Sequence, residues 1–234
     1  MTARAGEKTG VPLSPRLMLA SALAFTLLFL AYPQLDLIAN GVFYNTEQHF
    51  LLRDDAAFDA IHKYVGVLAL ALLTWAAAIW VLSKRAPDRE KWLARRPAAL
   101  FLALSLALGP GLLVNVVFKD QWGRARPAQT REFGGTARFT PPWVMSDQCA
   151  RNCSFVCGDA SLGYALVALA FVSRRPRVWL IAGLSAGTAL GLMRMGQGGH
   201  FFSDVIFSFY AVYFAAWALH RFMTRSGRPM LPID

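Results

Sequence analysis

Six apolar runs, each bounded by charged or glycine-rich segments, constrain this chain more than any other feature: residues 17–32, about 61–82, 98–118, about 160–172, 178–192 and 205–219. A helix needs about 20 apolar residues to cross a bilayer, and only a structure that satisfies its own backbone polar groups can do so. The runs predict an all-α integral membrane protein, a six-transmembrane-helix bundle forming a single domain over residues 1–234. Composition agrees, since 56% apolar residues, 16% charged residues and a mean hydropathy of +0.38 lie outside the balance of a soluble domain. No small-residue cleavage site follows the first run, so it reads as a retained span rather than a signal peptide. Several runs fall short of about 20 residues, and polar site residues are expected to cap their outer ends. Gly109-Pro110-Gly111 should kink the third.

The formal charge of +10 is parcelled between the apolar blocks and forms no stripe, which argues against a nucleic-acid partner. Arg4, Lys8 and Arg16, the basic stretch 83–97, Arg174, Arg175 and Arg177, and the tail hold 15 of the 24 Lys and Arg. Under the positive-inside rule both termini are then cytoplasmic. Six of the other nine cations, Lys119, Arg124, Arg126, Arg131, Arg138 and Arg151, sit in the long polar loop 119–158, and a seventh is Arg194. Cations kept outside against that rule suggest an anionic ligand there. The acidic segment 33–60 reads as an external loop with an interfacial helix, its Phe43, Tyr44 and Phe50 lying along the headgroups.

The chemistry-bearing stretch is Arg194-Met-Gly-Gln-Gly-Gly-His-Phe-Phe-Ser-Asp204. If a helix begins near Phe201, His200 and Asp204 project onto one face, and the carboxylate can accept a hydrogen bond from one imidazole nitrogen. That would fix the tautomer and make the other nitrogen a better nucleophile. Upstream, Lys119 and Arg126 are spaced seven apart, and Pro127 disfavours helix at Arg126. Lys119, Arg126 and Arg194 together supply one point charge and two planar forks, the set that stabilises a transferring phosphoryl group.

Lys119-x6-Arg126-Pro127, the turn Val156-Cys157-Gly158-Asp159, and Arg194-x5-His200-x3-Asp204 resemble the three motifs of the type 2 phosphatidic acid phosphatases. The resemblance implies a helical membrane bundle with its site at the periplasmic surface, phosphate bound by Lys119, Arg126 and Arg194, a phosphohistidine on His200, and Asp204 orienting that histidine. It implies no metal and no other cofactor. Cys157 and Gly158 stand where the family's second motif meets phosphate, and Cys157 is expected to present its backbone N–H. That motif usually carries a histidine, the general acid, where this chain has Asp159. A carboxylate beside three cations should be ionised near neutral pH, so either burial raises its pKa, the leaving group needs little help, or the chemistry is weakened. An ion pair between Asp159 and one of the cations is the structural alternative.

Within the family the second turn and the outer-loop Arg131, Arg138 and Arg151 are most similar to bacterial lipid A phosphatases. The expected activity is therefore removal of a phosphate monoester from lipid A at the outer leaflet of a bacterial inner membrane, those three arginines holding the anionic head. Undecaprenyl pyrophosphate, phosphatidylglycerophosphate, phosphoryl transfer to another lipid and transport of an anionic lipid are the alternatives. Cys149 and Cys153 are open to a disulfide or to two free thiols, with a zinc site including Cys157 disfavoured by the lack of further ligands.

Overall fold

The computed structural model describes residues 13–47, 49–82 and 89–226, and the chain is mostly helical. Arg4, Lys8, Lys84, Arg85 and Arg228, which carry part of the orientation count, lie outside the described residues. Helix α1 (Pro15–Ala31) opens on Ser14, whose hydroxyl accepts from Leu17 N, and on a proline at its first position. After Pro33 the chain bends through 88° into α2 (Gln34–Gly41), the short helix expected in the acidic segment. A minimal hairpin follows, β1 (Tyr44–Asn45) antiparallel to β2 (His49–Phe50), and then α3 (Ala56–Leu82).

Helix α4 (Arg89–Leu106) continues through the wider π-helical segment Ala107–Phe118 into a last turn, α5 (Lys119–Gln121). Where a kink was expected at Pro110 the winding widens, and the Asn115 amide donates to the Pro110 carbonyl at 2.7 Å. Helix α6 (Gly158–Tyr164) tightens into the 3-10 segment Ala165–Phe171 and is followed by α7 (Pro176–Gly196) and α8 (Phe202–Arg225). Among the described residues three helices are long and apolar enough to cross a membrane, Arg96–Gln121, Pro176–Gly196 and Phe202–Arg225. The bent pair α1–α2 makes a fourth if it counts as one span. The apolar run near 160–172 lies on the short apolar helix Gly158–Phe171.

Helix α8 is the axis of the packing. It contacts α1, α2, α4, α6 and α7, burying Phe207, Tyr210, Tyr213 and Ala216 against Phe29, Val114 and Phe155 on one side and Phe101, Val167 and Phe171 on the other. Helix α1 instead exposes Leu19, Leu23 and Leu27. Small residues bring α7 close to its neighbours: a Cβ on Gly187 would strike the Tyr164 ring, and one on Gly191 would strike Val205. The hairpin aromatics do not lie outward as expected. Tyr44 and Phe50 pack on Phe133 with ring centres 5.2 to 5.3 Å apart, forming a small core with Phe201 because burying these rings against one another removes more apolar surface from water.

Candidate active site

Lys119 lies at the end of the third apolar helix, and Arg126 follows in extended backbone before Pro127, as the proline requires. Both are held by Asn152, whose side-chain oxygen accepts from Lys119 Nζ at 3.3 Å and whose carbonyl accepts from an Arg126 nitrogen at 2.8 Å. Asn152 itself has a left-handed backbone, φ 51°, and its N–H donates to Asp120 at 3.1 Å. It sits between Cys149 and Cys153, which form a disulfide, so two of the expected phosphate ligands hang on a cross-linked loop and three-cysteine zinc binding does not arise. Arg194, at the carboxyl end of α7, is buried and donates to Gln197 Oε1 at 2.6 Å. The three cations are near enough to repel one another, which is the condition for sharing one anion.

Two glycines permit this crowding. A Cβ on Gly158 would sit 2.8 Å from Lys119 Nζ, and one on Gly199 would sit 2.6 Å from Arg194 Nη2. The bare backbone lets each cation lie across the chain.

His200 is buried just before α8, with its Nδ1 2.6 Å from the Ser154 carbonyl. A carbonyl only accepts, so Nδ1 carries the proton and Nε2 holds a free lone pair. Burial, aided by the Lys119 and Arg194 charges, outweighs the Asp204 carboxylate and pushes His200 down to about 4, leaving the imidazole neutral at pH 7. The direct bond expected from Asp204 is not made, since Oδ2 stands 3.7 Å from Nδ1. Asp204 Oδ2 instead accepts from Ser154 Oγ at 2.6 Å and from the Phe201 N–H at 2.8 Å, holding the two segments between which His200 lies. The sequence spacing gave the right face and missed the carbonyl that takes the place of the carboxylate.

Behind Asp204 lies a network that motif spacing does not reveal. Arg124, fully buried, donates to Asp204 Oδ1 at 2.6 Å, to Asp36 Oδ2 at 2.7 Å, to Ser203 Oγ at 2.9 Å and to the Thr140 carbonyl at 2.8 Å, and stacks 4.3 Å above the Phe201 ring. Asp36 completes it by accepting from Ser203 N and Oγ at 2.8 and 2.6 Å. Asp36, read above as part of an external acidic loop, is therefore an internal counter-charge, and Arg124, counted among the outer cations, is wholly occupied inside. An arginine two positions before Arg126 was the available signal.

Asp159 faces Arg194, Oδ2 to Nε 3.0 Å, and the same oxygen lies 2.7 Å from Nδ1 of His62 on α3. Burial pushes its carboxyl up, but the hydrogen bond and charge of His62, with Arg194 and His200, prevail and hold it below the usual carboxylate range. Asp159 is thus an ionised carboxylate paired with Arg194 and hydrogen-bonded to His62, and not a carboxyl poised to give a proton. One turn before His62, Asp59 accepts from Gln197 Nε2 at 2.9 Å, the glutamine that also accepts from Arg194. Asp59 and His62, at i and i+3 on one face of α3, so bracket Arg194 from two sides.

Cys157 differs from its expected role. Its N–H donates to the Asp204 carbonyl at 3.1 Å, so it has no free donor for phosphate, and burial pushes its thiol up to about 12. The outer-loop arginines are exposed, Arg131 on the Thr136 carbonyl at 3.2 Å, Arg138 at 3.9 Å from Asp147 and Arg151 at 3.9 Å from Asp120. Contacts of that length and exposure contribute little to the fold.

Residues 98–228 match the PAP2 superfamily. The chain is 42% identical over 201 residues to the lipid A 4'-phosphatase of Francisella tularensis subsp. novicida (strain U112), covering 84% of this chain and 90% of that protein. It is 34% identical over 199 residues to the lipid A 4'-phosphatase of Rhizobium leguminosarum, covering 78% of this chain and 84% of that protein. A third similarity, 43% over 103 residues, is to the lipid A 4'-phosphatase of Rhizobium etli, covering 43% of this chain and 40% of that protein. No solved structure matches.

Proposed function

The chain belongs to the PAP2 superfamily, and from that membership and the site geometry we propose that it is a membrane phosphatase that removes a phosphate monoester from lipid A through a phosphohistidine on His200. One observation carries the chemistry: a buried, neutral histidine, its Nδ1 proton tied to a carbonyl, lies beside the charges of Lys119 and Arg194. Nε2 attacks phosphorus while Lys119, Arg126 and Arg194 take the three non-bridging oxygens, whose charge they offset in the transition state. The lipid alcohol leaves, and water then cleaves the phosphorus–nitrogen bond to release inorganic phosphate. Ser154 and Asp204 keep the imidazole in the attacking tautomer throughout. The relatives named as lipid A 4'-phosphatases support the substrate and the 4' position.

In this reading six spans place the site at the periplasmic face of a bacterial inner membrane with both termini cytoplasmic. The Cys149–Cys153 disulfide beside the phosphate ligands supports that side, since such bonds persist in oxidising compartments. Arg131, Arg138 and Arg151 face outward to hold the rest of the charged head. The test is to incubate purified protein with lipid A and measure inorganic phosphate with no acceptor present, together with an acid-labile, base-stable phosphoenzyme. Both should vanish in His200→Ala. A phosphoenzyme persisting in that variant excludes His200 as nucleophile.

A further inference from the structure

Proton delivery to the leaving alcohol is the step that the three motif segments leave without a residue. Asp159 occupies the position from which the family's histidine acts, and it is ionised and paired. Yet a histidine is there in space: His62, on α3 and more than thirty residues before the matched segment begins, reaches the same carboxylate oxygen that pairs with Arg194.

We propose that His62 is the general acid of this phosphatase, held by Asp159 through Nδ1 and delivering its proton from Nε2 to the departing oxygen. The inference rests on the phosphohistidine reading given above. Three observations support it. First, one carboxylate oxygen meets Arg194 Nε at 3.0 Å and His62 Nδ1 at 2.7 Å, so the two nitrogens lie less than about 6 Å apart, and Arg194 marks where the phosphoryl group binds. Second, a carboxylate accepting from Nδ1–H fixes the ring and leaves Nε2 as the working edge, the arrangement by which a histidine is oriented for proton transfer. Third, the His62 side chain is 45% exposed whereas Asp159 is 10% exposed, so the imidazole is the accessible member of the pair and is open to a substrate.

The step balances without a co-reactant. His200 Nε2 donates its lone pair to phosphorus, the bond from phosphorus to the lipid oxygen breaks, and its electron pair stays on that oxygen. The oxygen takes the Nε2 proton of the His62 imidazolium and leaves as alcohol, with His62 now neutral. In the second half His62 Nε2 accepts a proton from the attacking water as the new phosphorus–oxygen bond forms. The phosphorus–nitrogen pair returns to His200, and phosphate departs with both histidines restored.

The decisive measurement is a single turnover of the full-length purified protein on two soluble probes, an alkyl phosphate and p-nitrophenyl phosphate. An alkoxide needs a proton to leave, whereas nitrophenolate does not. His62→Ala and His62→Gln should each slow alcohol release from the alkyl phosphate about 10²-fold or more while the nitrophenolate burst stays within about threefold of wild type. The burst also reports that the variant is folded with its phosphate ligands in place. Equal slowing on both probes means that His62 only shapes the site, and wild-type rates on both, or restoration by the hydrogen-bonding glutamine, overturn the proposal. If instead wild type gives no burst, or His200→Ala retains one, the phosphohistidine reading fails irrespective of His62.

Discussion

Arg124→Met tests whether the buried network holds the site together. The arginine loses four hydrogen bonds, two of them to the carboxylates of Asp36 and Asp204, and both carboxylates remain fully buried without a cation. Removing one partner of a buried ion pair costs about 3–5 kcal/mol, and here one cation serves two anions, so the upper part of that range applies. Taking about 4–5 kcal/mol, at about 2–4 °C per kcal/mol for a chain of this length, the midpoint of thermal unfolding should fall by roughly 8–20 °C. Thermal unfolding of the purified protein in detergent measures it, with Arg126→Met as the control. Among the described residues the Arg126 side chain donates to the Asn152 carbonyl, and in the proposed mechanism it binds phosphate, so that variant should lose activity and keep its midpoint within about 2 °C. Adding Asp36→Asn to Arg124→Met should restore part of the loss by removing one uncompensated charge. A midpoint for Arg124→Met within about 2 °C of wild type would refute the structural role.

His200 should make the fold acid-sensitive. Its folded value of about 4 lies below the ordinary ~6.5, so its contribution is fully present above ~6.5 and is lost as pH falls through about 4, a loss of about 3 kcal/mol. The unfolding midpoint of wild type should therefore fall further between pH 7 and 4 than that of His200→Gln, and parallel curves would exclude the effect. Neutralising Arg131, Arg138 and Arg151 together should raise KM for lipid A well beyond that for a short soluble phosphate, as measured by steady-state kinetics on both. Equal changes would assign these residues to the loop.

The helical, membrane-spanning character was legible because hydropathy is a local property that survives any tertiary arrangement, and the helix starts at Pro15 and Pro176 carry local signals. The gathering of Lys119, Arg126, Arg194 and His200 in one place was legible because their spacing is set within single segments. What sequence could not give was contact across large separations. Asp36 reaches Ser203 over 167 positions and His62 reaches Asp159 over 97, and neither residue differs locally from an ordinary polar group at a helix end. The His200–Asp204 spacing was informative about direction only. A backbone carbonyl, Ser154 O, fills the place expected for the carboxylate, and carbonyls leave no trace in a sequence. Pro110 pointed to a kink because an ideal α-helix does not hold it without losing a backbone bond, whereas the wider winding of Ala107–Phe118 takes it in.

The segment that carries the family resemblance is electrically incomplete by itself. Residues 98–228 hold Arg124 and Arg194, but Asp36, Asp59 and His62, which meet Arg124 directly and Arg194 through Gln197 and Asp159, all lie before residue 98. A chimera joining this segment to the amino-terminal helices of another relative would inherit the recognisable motifs and lose the matching anions and imidazole. Modularity here therefore follows charge pairing rather than motif boundaries, and a transplant that works must carry α2 and the first turns of α3 along with the motifs.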